Sequence, residues 1–131
     1  MRLLRSRALA ITVAMFGVAG LLGGTLGVAT AGQRSLESGF NLIGGPIAGD
    51  VEPDHFMSCL DSGDWHAVYI WQASNQSWKH YFNPAGGSPD YVNDVAVGGI
   101  DEVPRGSGVV VIMENGVEAA YFPDSATQDC P

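Results

Sequence analysis

A chain of 131 residues with 14 acidic side chains against 6 basic ones, net charge −8, lacks the positive surface that a nucleic acid or an anionic membrane would require. Its length suits one domain built on one hydrophobic core. Its two cysteines allow one disulfide.

The first 31 residues read as an export signal. Arg2, Arg5 and Arg7 form a basic leader, and an apolar run follows from Ala8 to Val28. Ala29-Thr30-Ala31 then supplies the small-x-small pattern of a cleavage site, so cleavage is expected after Ala31. The alternative is an uncleaved membrane anchor, because about 20 apolar residues span a bilayer. The glycines at 17, 20, 23, 24 and 27 dilute the run and favour cleavage. The expected organisation is a signal peptide at 1–31, a flexible polar lead-in at 32–38 and one β-rich domain at 39–131. The mature chain keeps Arg34, Lys79 and Arg105 against all 14 acids, a net charge of −11. A secreted, extracellular monomer is expected.

Phe40 to Ile43 reads as a short strand, stopped by Gly44-Gly45-Pro46. A helix of two or three turns follows. Asp50 or Glu52 can cap it, Pro53 suits its first position, and Asp54 favours the positive end of its dipole. Phe56, Met57 and Leu60 give it an apolar face, and Asp61-Ser62-Gly63 ends it.

The centre reads as a hairpin. Alternation from Trp65 to Trp71 puts Trp65, Ala67, Tyr69 and Trp71 on one face and His66, Val68 and Ile70 on the other. Ala73 to Ser77 is the turn. The return strand sends Trp78, His80 and Phe82 to one side and Lys79 and Tyr81 to the other. Tyr91 to Val97 is a weaker strand. Val109 to Met113 is a β-branched run, and Asn115-Gly116 is a strong hairpin signal joining it to a partner strand at Val117 to Phe122. About six strands and one helix predict a mainly β fold, a small, largely antiparallel barrel or sandwich with the helix packed on it.

In an exporting compartment Cys59 and Cys130 are expected to pair. The bond would close a loop of about 70 residues and contribute roughly 4 kcal/mol in the chain-entropy treatment. It would also tie down the C-terminus, which otherwise frays.

The order of landmarks is then familiar. Gly39-Phe40-Asn41-Leu42-Ile43-Gly44 opens the domain, and Ala67-Val68-Tyr69-Ile70-Trp71 precedes Trp78-Lys79-His80-Tyr81-Phe82. Tyr91-Val92-Asn93-Asp94 and Pro104-Arg105-Gly106-Ser107-Gly108 follow. Residues 39–122 resemble a module of exported bacterial proteins that opens with Gly-Trp-Asn-Leu-(Ile/Val)-Gly. The resemblance implies a β-rich surface module, of a kind appended to or repeated within larger proteins. It carries over no catalytic residue. Phe40 stands where that module has Trp, and Val109-Val110 stand where it has aromatics.

The constellations that would carry chemistry are weak. His55 and Cys59 are four apart and suit a metal, but Cys59 is better used in the disulfide. His66 and His80 lack a third ligand. Asp50, Glu52, Asp54 and Asp61 match positions 1, 3, 5 and 12 of a calcium loop. His55 replaces the glycine that the loop's sharp turn needs, and Pro53 starts a helix inside it. Ser58 and Ser62 lie near His55 and Asp61 without a nucleophile motif. No cofactor, metal site or catalytic set is therefore expected. The leading expectation is a non-enzymatic binding or structural surface module with a protein or glycan partner. The alternative is a small exported hydrolase or enzyme inhibitor. Binding is expected at the aromatic hairpin, where most large rings form the core and at least one of Trp71, Trp78 and Tyr81 stays exposed.

Overall fold

The computed structural model describes residues 33–131; the expected signal segment and its cleavage site lie outside the described residues. Two bent stretches of chain form the frame. β1 (Gln33–Leu36) passes through a bend at residues 37–38 into β2 (Gly39–Gly44). β5 (Gly108–Met113) passes through residues 114–116 into β6 (Val117–Tyr121). β2 pairs antiparallel with β5 from Gly39↔Met113 to Gly44↔Gly108, and β1 pairs with β6. The shared bend thus carries the pairing from one sheet to another. The first is four-stranded, in the order β2-β5-β3-β4, and the second is the two-stranded β1-β6. The fold is mainly β, as expected, and the two sheets form a sandwich rather than a closed barrel.

Local chemistry sets the bend. Gly39 adopts φ +92°, a left-handed conformation that glycine takes without a Cβ penalty. The Asn41 carboxamide accepts from the Glu37 N–H at 2.9 Å and donates to the Glu37 carbonyl at 2.7 Å. On the facing segment, a Cβ at Gly116 would sit 3.3 Å from the Leu36 carbonyl oxygen. The bent segments approach closely because that position has no side chain.

Asn115-Gly116 is therefore a corner and not the hairpin turn its sequence suggests. A type I′ turn needs positive φ at both central residues, and neither residue has it. β5 is already flanked by β2 and β3, so β6 has no open side of β5 to pair with. The Glu114 N–H donates instead to the Asp64 carbonyl at 2.8 Å, and Asn115 Nδ2 reaches the Asp64 carboxylate at 3.1 Å. The central place of β5 follows from burial, since Val109 and Val111 are fully enclosed.

The lead-in expected to be flexible is strand β1, with Leu36 in the core. One buried leucine and a partner strand outweigh the polar character of Gln33 to Ser35. The strand expected at Tyr91 to Val97 is two 3-10 turns, Asp90–Asn93 and Val95–Val97. Asp94 caps the second by accepting from the Ala96 N–H at 2.9 Å, which competes with extended backbone. Among the described residues the count of six strands survives because one was gained and one lost.

The hairpin formed by β3 (Trp65–Gln72) and β4 (Ser77–Phe82) is as expected, with Gln72 opposite Ser77. Helix α1 (Pro53–Phe56) is a single turn, shorter than expected. Beyond it the chain tightens, with Ser58 N–H bonding the His55 carbonyl and Leu60 N–H the Met57 carbonyl. Phe56, Met57 and Leu60 are nonetheless buried. Asp50 does not cap the helix: its carboxylate accepts from the Arg105 N–H at 2.7 Å.

One core cluster lies between the sheets, drawing Leu36 from β1, Ala120 from β6, Phe56 and Met57 from the helical turn, and Val68, Val111 and Met113 from the larger sheet. Phe56 and Phe122 stack at 5.0 Å between centroids. Cys59 and Cys130 are bonded, with Cα atoms 5.4 Å apart. The His55 ring adds a hydrogen bond from Nε2 to the Gln128 carbonyl at 3.1 Å. Both contacts hold the C-terminal tail against the helical turn.

Candidate binding face

A β-bulge decides which aromatic rings reach solvent. Along β3, Trp65 pairs with Met113 but Ala67 pairs with Ile112, so the register shifts across His66. The extra residue moves Trp65 to the face of Met113, Val68 and Ile70. Trp65 is thus buried in the core and stacks on Tyr81 at 6.1 Å. Unbroken alternation would have left it beside Tyr69 and Trp71.

Tyr81 needs a second correction. It lies opposite Val68 and packs partly buried against the core. Burial first, and then the Asp54 carboxylate, raise its hydroxyl pKa above the ordinary value. It does not share a surface with Trp71 and Trp78.

Those two tryptophans do stand together. Trp71 is paired with Trp78 across the hairpin, their rings 5.3 Å apart and inclined at 64°. They are 49% and 54% exposed. The register continues the same face across the sheet. Tyr69 lies between His80 and Val110, Val110 is paired with Leu42, and Ile112 with Phe40. Phe40 is 68% and Leu42 71% exposed, whereas Val110 between the flanking rows is only 4% exposed.

The outcome is a shallow apolar groove of about 320 Å³, lined by Phe40, Tyr69, Trp78, Val110 and Ile112. Its volume lies at the lower end of the range for small-molecule sites. No lining residue is charged. Inspection of the hairpin alone locates Trp71 and Trp78 but misses Phe40, Leu42, Val110 and Ile112. Their signal was the even-numbered alternation within β2 and β5, which acquires meaning only when those strands are placed beside β3.

The other candidate sets are not brought together for catalysis. The His55 ring is used on the tail, His80 donates from Nε2 to the Val92 carbonyl at 2.7 Å, and His66 pairs with Glu114 at the surface. Asp50, Glu52, Asp54, His55 and Glu102 border an open depression that Asp61 does not line. Among the described residues, no group of three or more His, Cys, Asp and Glu is arranged to hold a metal ion. Ser58 Oγ donates to the His55 carbonyl at 2.7 Å rather than to its ring. Asn83, buried, donates to the carbonyls of Ser62 and Trp65 and accepts from the Ala85 N–H, which makes it a structural tie between the hairpin and the loops beside it.

No family model, no curated protein and no solved structure matches this chain.

Proposed function

We propose that this chain is a secreted, non-enzymatic binding module whose contact surface is the outer face of the four-stranded sheet, centred on Trp78. The observation that carries the reading is the uncharged groove in which Phe40, Tyr69 and Trp78 surround Val110. Contiguous apolar surface rimmed by polar residues marks interaction sites in soluble domains. Aromatic rings held by a sheet lose little conformational freedom on contact. The partner is a protein or glycan with a neutral, partly apolar surface, since a mature charge of −11 disfavours anionic ligands. The Cys59–Cys130 bond supports an oxidising compartment.

The test is retention of the protein on immobilised neutral polysaccharides and on immobilised apolar peptides, compared with Trp78→Ala. Retention lost on alanine substitution, with the unfolding midpoint nearly unchanged, supports the reading. Equal retention of both proteins would refute it. Intact mass of the exported protein tests the address: loss of residues 1–31 is expected.

A further inference from the structure

We infer that the free edge of the four-stranded sheet, strand β2, pairs with β2 of a second copy of this chain. The inference concerns the edge of the sheet and holds whether or not its outer face binds a ligand. The two edges are treated differently. At the β4 edge, His80 N–H donates to the Gly98 carbonyl, Ile100 N–H donates to the His80 carbonyl, and the Asn93 carboxamide bonds both the N–H and the carbonyl of Phe82. That edge is covered by its own chain. Among the described residues, β2 pairs with β5 on one side only. Alternate residues of an edge strand direct unpaired N–H and C=O groups outward. The usual protections are charge, proline or a bulge. The strand reads Gly39-Phe40-Asn41-Leu42-Ile43-Gly44 and pairs in continuous register, so its own residues carry none of them, and the Arg34 side chain caps the edge at the Gly44 carbonyl, leaving Phe40 and Leu42 uncovered by it.

Symmetry selects the register. A two-fold axis normal to the sheet makes the pairing antiparallel and puts the outer faces of both copies on one side. Directly opposed residues must then share a face, so Phe40 can oppose only an even-numbered residue. Asn41 on the axis sets Phe40 against Leu42 of the second copy, and Leu42 against Phe40. Shifting by one step either way leaves a single apolar pair on the axis, Leu42 against Leu42 or Phe40 against Phe40, in place of two. In the favoured register the charges also match. Arg34 Nη1 bonds the Gly44 carbonyl at 2.7 Å, at one end of β2, and exposed Glu37 precedes the other end. Antiparallel pairing brings the Arg34 end of each copy beside the Glu37 end of the other. The groove of each copy is then continued by Leu42 of its neighbour.

Sedimentation equilibrium of the protein processed from the full chain, up to about 1 mM, provides the test. A reversible dimer is expected. Leu42→Lys should weaken it by roughly tenfold or more, since it removes both Phe40–Leu42 pairs and adds like charge near the axis. Glu37→Arg should weaken it by setting like charges at both ends, and Trp78→Ala, remote from the edge, should leave it intact. Leu42 and Glu37 are exposed, and a thermal midpoint for each variant separates dissociation from unfolding. A monomer at every concentration overturns the inference. So does a dimer that Trp78→Ala weakens and Leu42→Lys does not, which would mean face-to-face packing. Ligand retention reads Trp78 separately, so failure of the edge pairing and failure of the binding face are distinguishable.

Discussion

The two faces of the four-stranded sheet carry the same kinds of side chain and meet different fates. On the inner face Trp65 and Tyr81 stack beneath β1, β6 and the helical turn, within one core cluster. On the outer face Trp71 and Trp78 meet edge to face across the hairpin, and Phe40 and Leu42 are exposed. Aromatic content therefore does not distinguish core from contact surface. What distinguishes them is whether the chain returns to cover the face, and the described residues cover only one.

The comparison is broken most severely from the inner side. Trp65→Ala should cost about 3–5 kcal/mol, because it removes a large buried ring from a close-packed site. Denaturant unfolding checks this through the midpoint at unchanged slope. A loss below that range would mean that the bulge at His66 relaxes to bring another side chain inward.

Replacing both cysteines, Cys59→Ser with Cys130→Ser, releases the tail from the layer that covers the inner face. A loss of about 2–4 kcal/mol is expected for a loop of this size. Reduction of the native protein should reproduce it in the same unfolding assay.

Trp78→Ala sharpens the comparison from the outer side. Its stability cost should be about 1 kcal/mol or less, chiefly the lost cross-strand contact with Trp71. Thermal unfolding should therefore separate it clearly from Trp65→Ala, two tryptophans thirteen positions apart in one hairpin with very different costs.

The smallest effect concerns Tyr81. Its folded pKa is raised, by burial first and by Asp54 second. The folded state then holds the proton more tightly than the unfolded chain. The stability tied to the neutral hydroxyl is fully present below the unfolded pKa and is lost as pH rises through the folded one. Stability should fall above about pH 10, and Tyr81→Phe should lose less over that window. A titration of the unfolding midpoint from neutral to alkaline pH, compared between the two proteins, reads the difference.

Much of the architecture was legible from residues 65–82, where alternation, a polar turn and large rings coincide. The return strand's division, with Trp78, His80 and Phe82 on one side and Lys79 and Tyr81 on the other, is the observed one. Trp65 was not legible, because a bulge is a property of two strands in register and leaves little mark on either alone. Asn115-Gly116 misled for a related reason. A local turn preference is worth little once both sides of β5 are taken by more distant strands. Phe40 and Val110 belong to one groove although 70 positions separate them, and only pairing through β2 and β5 brings them together.

By itself the sequence determined the class of fold, the hairpin, the apolar positions of the helical turn and the pairing of Cys59 with Cys130. Each follows from side-chain periodicity, turn chemistry or the count of thiols, which act over short stretches or admit one solution. Tertiary structure decided which sheet face the chain covers, which edge it protects and on which side Trp65 falls. Those outcomes depend on register between distant strands, and a register shift of one residue reverses the face of every side chain beyond it.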